Sequence, residues 1–216
     1  MAVAARIGIV NYGMGNLRSV EKAVERVGAV PVISGDPEQL AELDGLILPG
    51  VGAFPKAMER IRETGLDRFL HERAEAGTPI LGVCLGMQLL CDFSTEGGGA
   101  SGLGLLPGEV RELDAKGLKL PHIGWSPLRI ERQTRLTEGI DSGEPFYFVH
   151  SFAPDPEPEH LLASASHGER FAAVIGADRA GIQVYGAQFH PEKSSTAGLR
   201  MLGNFAAICS PVATGA

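Results

Sequence analysis

The sequence is poor in cysteine, with only three in 216 residues, an odd number at irregular spacing. That count excludes a disulfide framework and suits a reducing cytosol. It also lacks paired cysteines and any His-x-x-x-His arrangement, so a structural metal centre is not expected. No apolar run reaches the ~18 residues that would span a bilayer, and Met1 to Arg6 shows no basic leader followed by an apolar stretch and a cleavage site. A cytoplasmic protein without a membrane segment is the expectation. Positive charge is scarce as well: 19 lysines and arginines face 26 aspartates and glutamates, a formal net charge of −7. A surface built to follow a phosphate backbone is therefore not expected.

What the chain has in excess is glycine, 29 residues, nearly double the usual share of roughly 7%. The glycines follow no repeat, so they mark tight turns and close backbone approaches. The first half alternates strand and helix. Arg6–Val10 reads as a buried strand. Asn16 is placed to cap a helix in which Leu17, Val20, Ala23, Val24 and Val27 recur at helical spacing, with Gly28 closing it. Strands at Val30–Ile33 and Gly45–Leu48 follow, then a charged helix from Phe54 to Ala76 and an apolar strand Pro79–Val83. This order predicts a parallel sheet covered on both faces. After Phe93 the texture changes to a glycine-rich connection, Gly97 to Gly104, and short antiparallel strands at 109–111, 145–152 and 172–177. A strand from Gly181 to His190 and a helix from Thr196 to Ile208 close the chain. In that helix Leu199, Leu202, Phe205 and Ile208 line one face. The prediction is an α/β fold of three layers over residues 1–216, one domain, with a mostly parallel central sheet and a small antiparallel one.

Chemistry is concentrated in Gly82-Val83-Cys84-Leu85-Gly86-Met87-Gln88. An apolar strand ends at a cysteine flanked by glycine at −2 and +2, and a helix starts at once. This is the nucleophile-elbow pattern with cysteine in place of serine. A helix N-terminus favours thiolate over thiol there, and the Leu85 N–H is placed to hold an oxyanion. The plain alternative is an inert core cysteine, which is the reading for Cys91 and Cys209 on apolar helix faces. A nucleophile needs a base, and the base an orienting partner. His190 ends an apolar run, and Glu192 lies two residues on, on the same side of an extended segment. Alone, such a pair is more commonly a solvated surface pair than a catalytic one; with the elbow it becomes a candidate Cys–His–Glu triad. Pro49-Gly50-Val51-Gly52 lacks the length and lysine of a phosphate loop. It is either a plain turn or a flexible backbone donor facing the crevice at the strand ends.

These segments, with Phe189-His190-Pro191-Glu192-Lys193-Ser194, resemble the class I (triad-type) glutamine amidotransferases. Asn11-Tyr12-Gly13-Met14-Gly15-Asn16-Leu17, Pro49 to Phe54, Pro121-His122-Ile123-Gly124-Trp125 and Tyr147-Phe148-Val149-His150-Ser151 are similar to the branch formed by the glutaminase subunits of imidazole glycerol phosphate synthases. The likeness runs from near residue 7 to about residue 205. It implies hydrolysis of L-glutamine to glutamate and ammonia, with ammonia passed to a separate (β/α)8-barrel cyclase in a heterodimer. No cofactor, metal, nucleic acid or membrane is implied. By position, Cys84 would attack the amide, His190 would shuttle the proton and Glu192 would orient it. The amides of Val51 and Leu85 would form the oxyanion hole. Gly50, Gly52, Gln88, Ser151 and Phe152 would hold glutamine, and Asn16, Ile123, Trp125 and Lys193 would face the cyclase. The chain departs from the pattern at Asn11, Ser126 and Phe152, where the family often carries Asp, Asn and Tyr. Subunits serving anthranilate, aminodeoxychorismate or pyridoxal phosphate synthesis share the triad but commonly carry His where Met87 stands.

Overall fold

The computed structural model describes residues 4–179 and 181–210. The first half runs β1 (Arg6–Val10), α1 (Leu17–Arg26), β2 (Val30–Ser34), α2 (Pro37–Ala41), β3 (Gly45–Gly50), α3 (Phe54–Glu63), α4 (Leu66–Glu75), β4 (Ile80–Cys84) and α5 (Leu85–Leu89). The second half adds β5 (Phe93–Ser94), β6 (Ala100–Ser101), β7 (Gly108–Glu112), β8 (His122–Pro127), β9 (Arg129–Ile130), β10 (Pro145–His150), β11 (Phe152–Pro156), β12 (Leu161–His167), β13 (Glu169–Arg179), β14 (Ile182–Ala187) and α6 (Ser195–Cys209).

The central sheet has eight strands in the order β2-β1-β3-β4-β14-β13-β12-β9. Its first five are mutually parallel, and β13, β12 and β9 extend it antiparallel. Side-chain alternation divides the strands between two cores. Ile7, Ile9, Ile47, Leu81 and Val83 pack with α1 and α6 through Val20, Val24, Leu202 and Phe205. Leu46, Leu48 and Ile80 pack on the other face with α2, α3 and α4 through Leu40, Met58, Ile61 and Leu70. Two small sheets, β10-β8 and β11-β7-β5-β6, complete the described residues.

Several local expectations need correction. The helix expected from Phe54 to Ala76 is two, broken at Thr64 and Gly65, whose left-handed φ of 70° turns the chain. Asn16 makes no side-chain cap, because its backbone at φ −89°, ψ 68° is not that of a capping residue. The 172–177 strand is antiparallel as expected; it lies inside β13, which extends the main sheet. The last strand stops at Ala187, short of His190.

Register places the site. In the β3–β4 pair Gly50 stands opposite Cys84, and in the β4–β14 pair Val83 stands opposite Ala187. Three parallel strands therefore deliver Val51, Leu85 and the Gln188–His190 segment to one carboxyl edge of the sheet, where open α/β sheets bind their ligands.

Candidate active site

Cys84 is the last residue of β4 and precedes α5 with φ 56° and ψ −114°. A residue with a Cβ pays roughly 1–2 kcal/mol for such a left-handed backbone. Packing on both sides enforces it. A Cβ at Gly82 would lie 2.5 Å from the Gly86 carbonyl oxygen, and one at Gly86 would overlap the Leu48 carbonyl. The two glycines let strand and helix meet this closely, as the pattern in the sequence requires. Cys84 is only 6% exposed, so the elbow is covered, not open. Its Sγ lies 3.7 Å from the Val149 carbonyl oxygen and 4.0 Å from Nε2 of the fully buried Gln188.

His190 is fixed by its backbone before its ring is considered. Its N–H donates to Tyr147 O at 2.9 Å, and its carbonyl accepts from Ser194 Oγ at 2.6 Å and from Lys193 N–H at 3.0 Å. Glu192 reaches it through a single 3₁₀ turn, Pro191–Lys193, and not along the extended segment expected from spacing. The result is a 2.9 Å contact between His190 Nδ1 and Glu192 Oε1, with the two side chains 6% and 1% exposed. Burial opposes a charged imidazole, but hydrogen bonds to Cys84 and Glu192 and the charges of both prevail, and His190 is pushed up to about 9. With Nδ1 given to Glu192, Nε2 is the nitrogen left for the Cys84 sulfur.

A cleft of about 310 Å³ opens at this point, lined among others by Val51, Gly52, Cys84, Leu85, Gln88 and His190. Ser151, Phe152 and Lys193 line it too, so ten of the fourteen residues singled out from sequence meet at one place or pair directly with one that does. Gly50 lies behind the cleft wall: a Cβ there would come 2.6 Å from Tyr12 Oη and 2.9 Å from Leu85 Cβ. Its role is close approach, and it does not touch the cleft. Asn16, Ile123 and Trp125 lie outside the cleft on exposed surface, with Ile123 62% and Trp125 52% exposed.

The sequence reading missed Tyr12, Glu96, His150 and Gln188. Tyr12 is buried and donates to the Pro49 carbonyl at 2.9 Å, clamping the start of the Gly50–Gly52 segment. Burial, with the nearby Cys84, pushes its phenol far up. Glu96 accepts from Phe54 N–H at 2.8 Å at the cleft wall. Gln88 Nε2 donates to Phe152 O at 2.8 Å and to Gln188 Oε1 at 3.1 Å. Gln188 precedes His190 by two, and His150 adjoins Ser151; those positions were the available signals.

Cys91 and Cys209 are buried, and burial raises both thiols, Cys91 up to about 12. Cys209 lies in α6 as expected, whereas Cys91 follows the end of α5 and is not on a helix; both pack in the core. Among the described residues, Glu157, Glu159 and His160 form the only trio with metal-ligand reach, and none of them lines the cleft. A larger pocket of about 570 Å³ contains no triad residue, and its Arg111 and Arg170 are already paired with Glu169 and Glu131.

Residues 9–209 match the family model described as glutamine amidotransferase class-I. The chain is 48% identical over 208 residues to the imidazole glycerol phosphate synthase subunit HisH of Geobacillus thermodenitrificans, covering 94% of this chain and 95% of that one. It is 47% identical to the subunit of the same name from Methanosarcina acetivorans, covering 94% and 99%. Among solved structures, PurLQS from Thermotoga maritima superposes with a TM-score of 0.75 at 20% identity, covering 95% of this chain and 99% of that one. A putative GMP synthase protein from Thermoplasma acidophilum gives 0.73 at 20% identity, covering 97% and 96%. At that identity the two structures speak for the fold.

Proposed function

Because the chain belongs to the class I glutamine amidotransferase family, we propose that it is the glutaminase subunit of an imidazole glycerol phosphate synthase. In this role it hydrolyses L-glutamine to glutamate and ammonia for histidine biosynthesis. The cyclase it serves is a separate chain, with which it forms a heterodimer. The observation that carries the reading is the buried His190–Glu192 contact beside Cys84 at the end of β4. No described helix is long and apolar enough to cross a membrane, and we place the enzyme in the cytoplasm with the pathway it serves.

Glutamine enters the 310 Å³ cleft with its amino-acid end toward Gln88, Ser151 and Phe152. Cys84 Sγ attacks the side-chain amide carbon, and the amide oxygen becomes an oxyanion facing the N–H groups of Leu85 and Val51. His190, protonated through Nε2, gives that proton to the departing nitrogen, and ammonia leaves as the C–N bond breaks. The product is a γ-glutamyl thioester on Cys84. Water then attacks the thioester while His190 takes its proton; the C–S bond breaks, glutamate departs and the thiolate–imidazolium pair is restored. Glu192 keeps the ring in one orientation throughout. Asn16, Ile123, Trp125 and Lys193 present the surface to the cyclase, which uses the ammonia to form imidazole glycerol phosphate and aminoimidazole carboxamide ribotide.

The test is to mix the purified chain with candidate acceptor proteins and supply glutamine labelled with ¹⁵N in its amide. Co-elution with the imidazole glycerol phosphate cyclase, and ¹⁵N in the imidazole product, are expected. Co-elution with an anthranilate or aminodeoxychorismate partner instead would overturn the assignment.

A further inference from the structure

Two buried histidines beside the cleft take no part in the steps above. His150 Nδ1 lies 2.9 Å from the Phe152 carbonyl oxygen, and His150 Nε2 lies 3.2 Å from His122 Nδ1. His122 Nε2 in turn lies 3.1 Å from Ser126 Oγ. A carbonyl can only accept, so His150 must carry its proton on Nδ1. Burial drives both rings toward the neutral form, His150 down to about 3 and His122 down to about 4. A neutral ring protonated on Nδ1 accepts on Nε2, so His122 must donate through its own Nδ1. Its Nε2 then accepts from the Ser126 hydroxyl. The bonding partners thus assign the tautomers, and only one direction satisfies all three contacts: Ser126 to His122 to His150 to Phe152.

The end of that chain is where glutamine is held. The Phe152 carbonyl receives a second bond from Gln88 Nε2, and the Ser151 carbonyl is taken by Leu113 N–H at 2.9 Å. Both carbonyls of the Ser151–Phe152 pair are thus tied, which fixes the backbone where it meets the cleft. The ring is fixed in turn: His122 packs between His167, with stacked centroids 4.3 Å apart, and Phe148, with centroids 5.2 Å apart. Phe171 closes on His150 at 4.8 Å.

We infer that His150, oriented by His122 and Ser126, is a positioning residue that sets the Ser151–Phe152 backbone for the amino-acid end of glutamine. The inference rests on the glutaminase reading for the identity of the ligand. It requires a donor at the Nδ1 position, and a neutral one. Asparagine places its amide nitrogen where Nδ1 stands, whereas glutamine reaches the Nε2 position. His150→Gln therefore loses the Phe152 bond, and His150→Asn keeps it.

The experiment is steady-state glutaminase kinetics of the full chain bound to the cyclase, for wild type and both variants. For His150→Gln, KM for glutamine should rise roughly five- to tenfold, the worth of one neutral hydrogen bond, with kcat changed less than ~3-fold. His150→Asn should return KM to within ~3-fold of wild type by the same measure. Equal damage from both variants, or none from either, would overturn the inference. Nitrogen-15 spectra of the wild-type rings give a second reading that needs no variant to fold. His150 and His122 should both show the Nδ1–H tautomer, and an Nε2–H tautomer at His150 would overturn the relay. A wild-type chain that fails to hydrolyse glutamine would defeat the functional reading, while the tautomers would still decide the relay.

Discussion

Gly50 and Cys84 stand directly opposite each other in the parallel register of β3 and β4. The residue after each, Val51 and Leu85, therefore arrives at the same cleft. A single strand pairing thus sets Cys84 between two backbone segments that meet at the cleft. The pairing is tight enough that a side chain at Gly50 would strike both Tyr12 and Leu85.

Cys84→Ala should lower glutaminase activity at least ~10⁴-fold, since loss of a covalent nucleophile is among the largest single effects in catalysis. The side chain removed is one sulfur facing a cleft, and alanine tolerates the same backbone no worse than cysteine. Thermal unfolding should therefore report a loss within ~1 kcal/mol. Retained hydrolysis in this variant would remove Cys84 from the mechanism.

The pH behaviour follows from His190. Folding raises its pKa to about 9, so its contribution to stability is whole below the ordinary value near ~6.5. That contribution fades as pH climbs through about 9. In the proposed mechanism the same deprotonation takes away the proton that leaves with ammonia, so kcat should fall on an alkaline limb near 9. Cys84→Ala and Glu192→Gln each remove one of the partners that hold the charge. Nuclear magnetic resonance titration of His190 should find its pKa lower in both variants than in wild type. An unmoved pKa in either would contradict the pairing.

The elbow glycines give a graded stability test. Gly86→Ala drives a methyl group into the Leu48 carbonyl, a backbone atom that cannot move aside. We expect at least ~3 kcal/mol lost or no folded protein, at the upper end of ordinary single-residue effects. Gly203→Ala in α6 meets nothing closer than 3.9 Å. It should gain up to ~1 kcal/mol from helix propensity. Chemical denaturation of the two variants measures both ends of this comparison.

Much of this site could be read in the sequence because its determinants are local. The glycines at −2 and +2 of Cys84 state a close strand–helix crossing, and His190 and Glu192 are two residues apart. The less legible parts depend on partners far along the chain. The antiparallel strands β13 and β12 join the main sheet only through pairing, which no local pattern records. The break at Gly65 hides in a segment whose apolar spacing continues on both sides. His122 and His150 acquire their roles only by meeting across the β8–β10 pair, 28 residues apart. Pro49 to Gly52 reads in the sequence as a plain turn or a flexible backbone donor, yet the φ of Gly50 is not left-handed, and its neighbours show that this glycine serves close packing.

That distinction decides how coupling to the cyclase should be tested. A glutaminase acting without its acceptor wastes glutamine, so a device that withholds one oxyanion donor from the isolated chain is expected. Loss of one donor typically costs ~10²–10³ in rate, and a liganded cyclase should restore about that much by favouring the donor-in conformer. Gly50→Val is a poor probe, because it would disrupt Tyr12 and the elbow together. Gly52 is the better one: it is exposed, its φ is +103°, and a Cβ there would meet only the flexible tip of Met14 at 2.9 Å. Alanine disfavours that left-handed conformer by roughly 1–2 kcal/mol, which shifts the balance of Val51–Gly52 conformers against the one observed. Gly52→Ala should therefore change hydrolysis by the isolated chain about 5–10-fold and change the activation by liganded cyclase by the same factor in the opposite sense. An isolated-chain rate equal to that of wild type, with full activation retained, would show that this segment is not where the control resides.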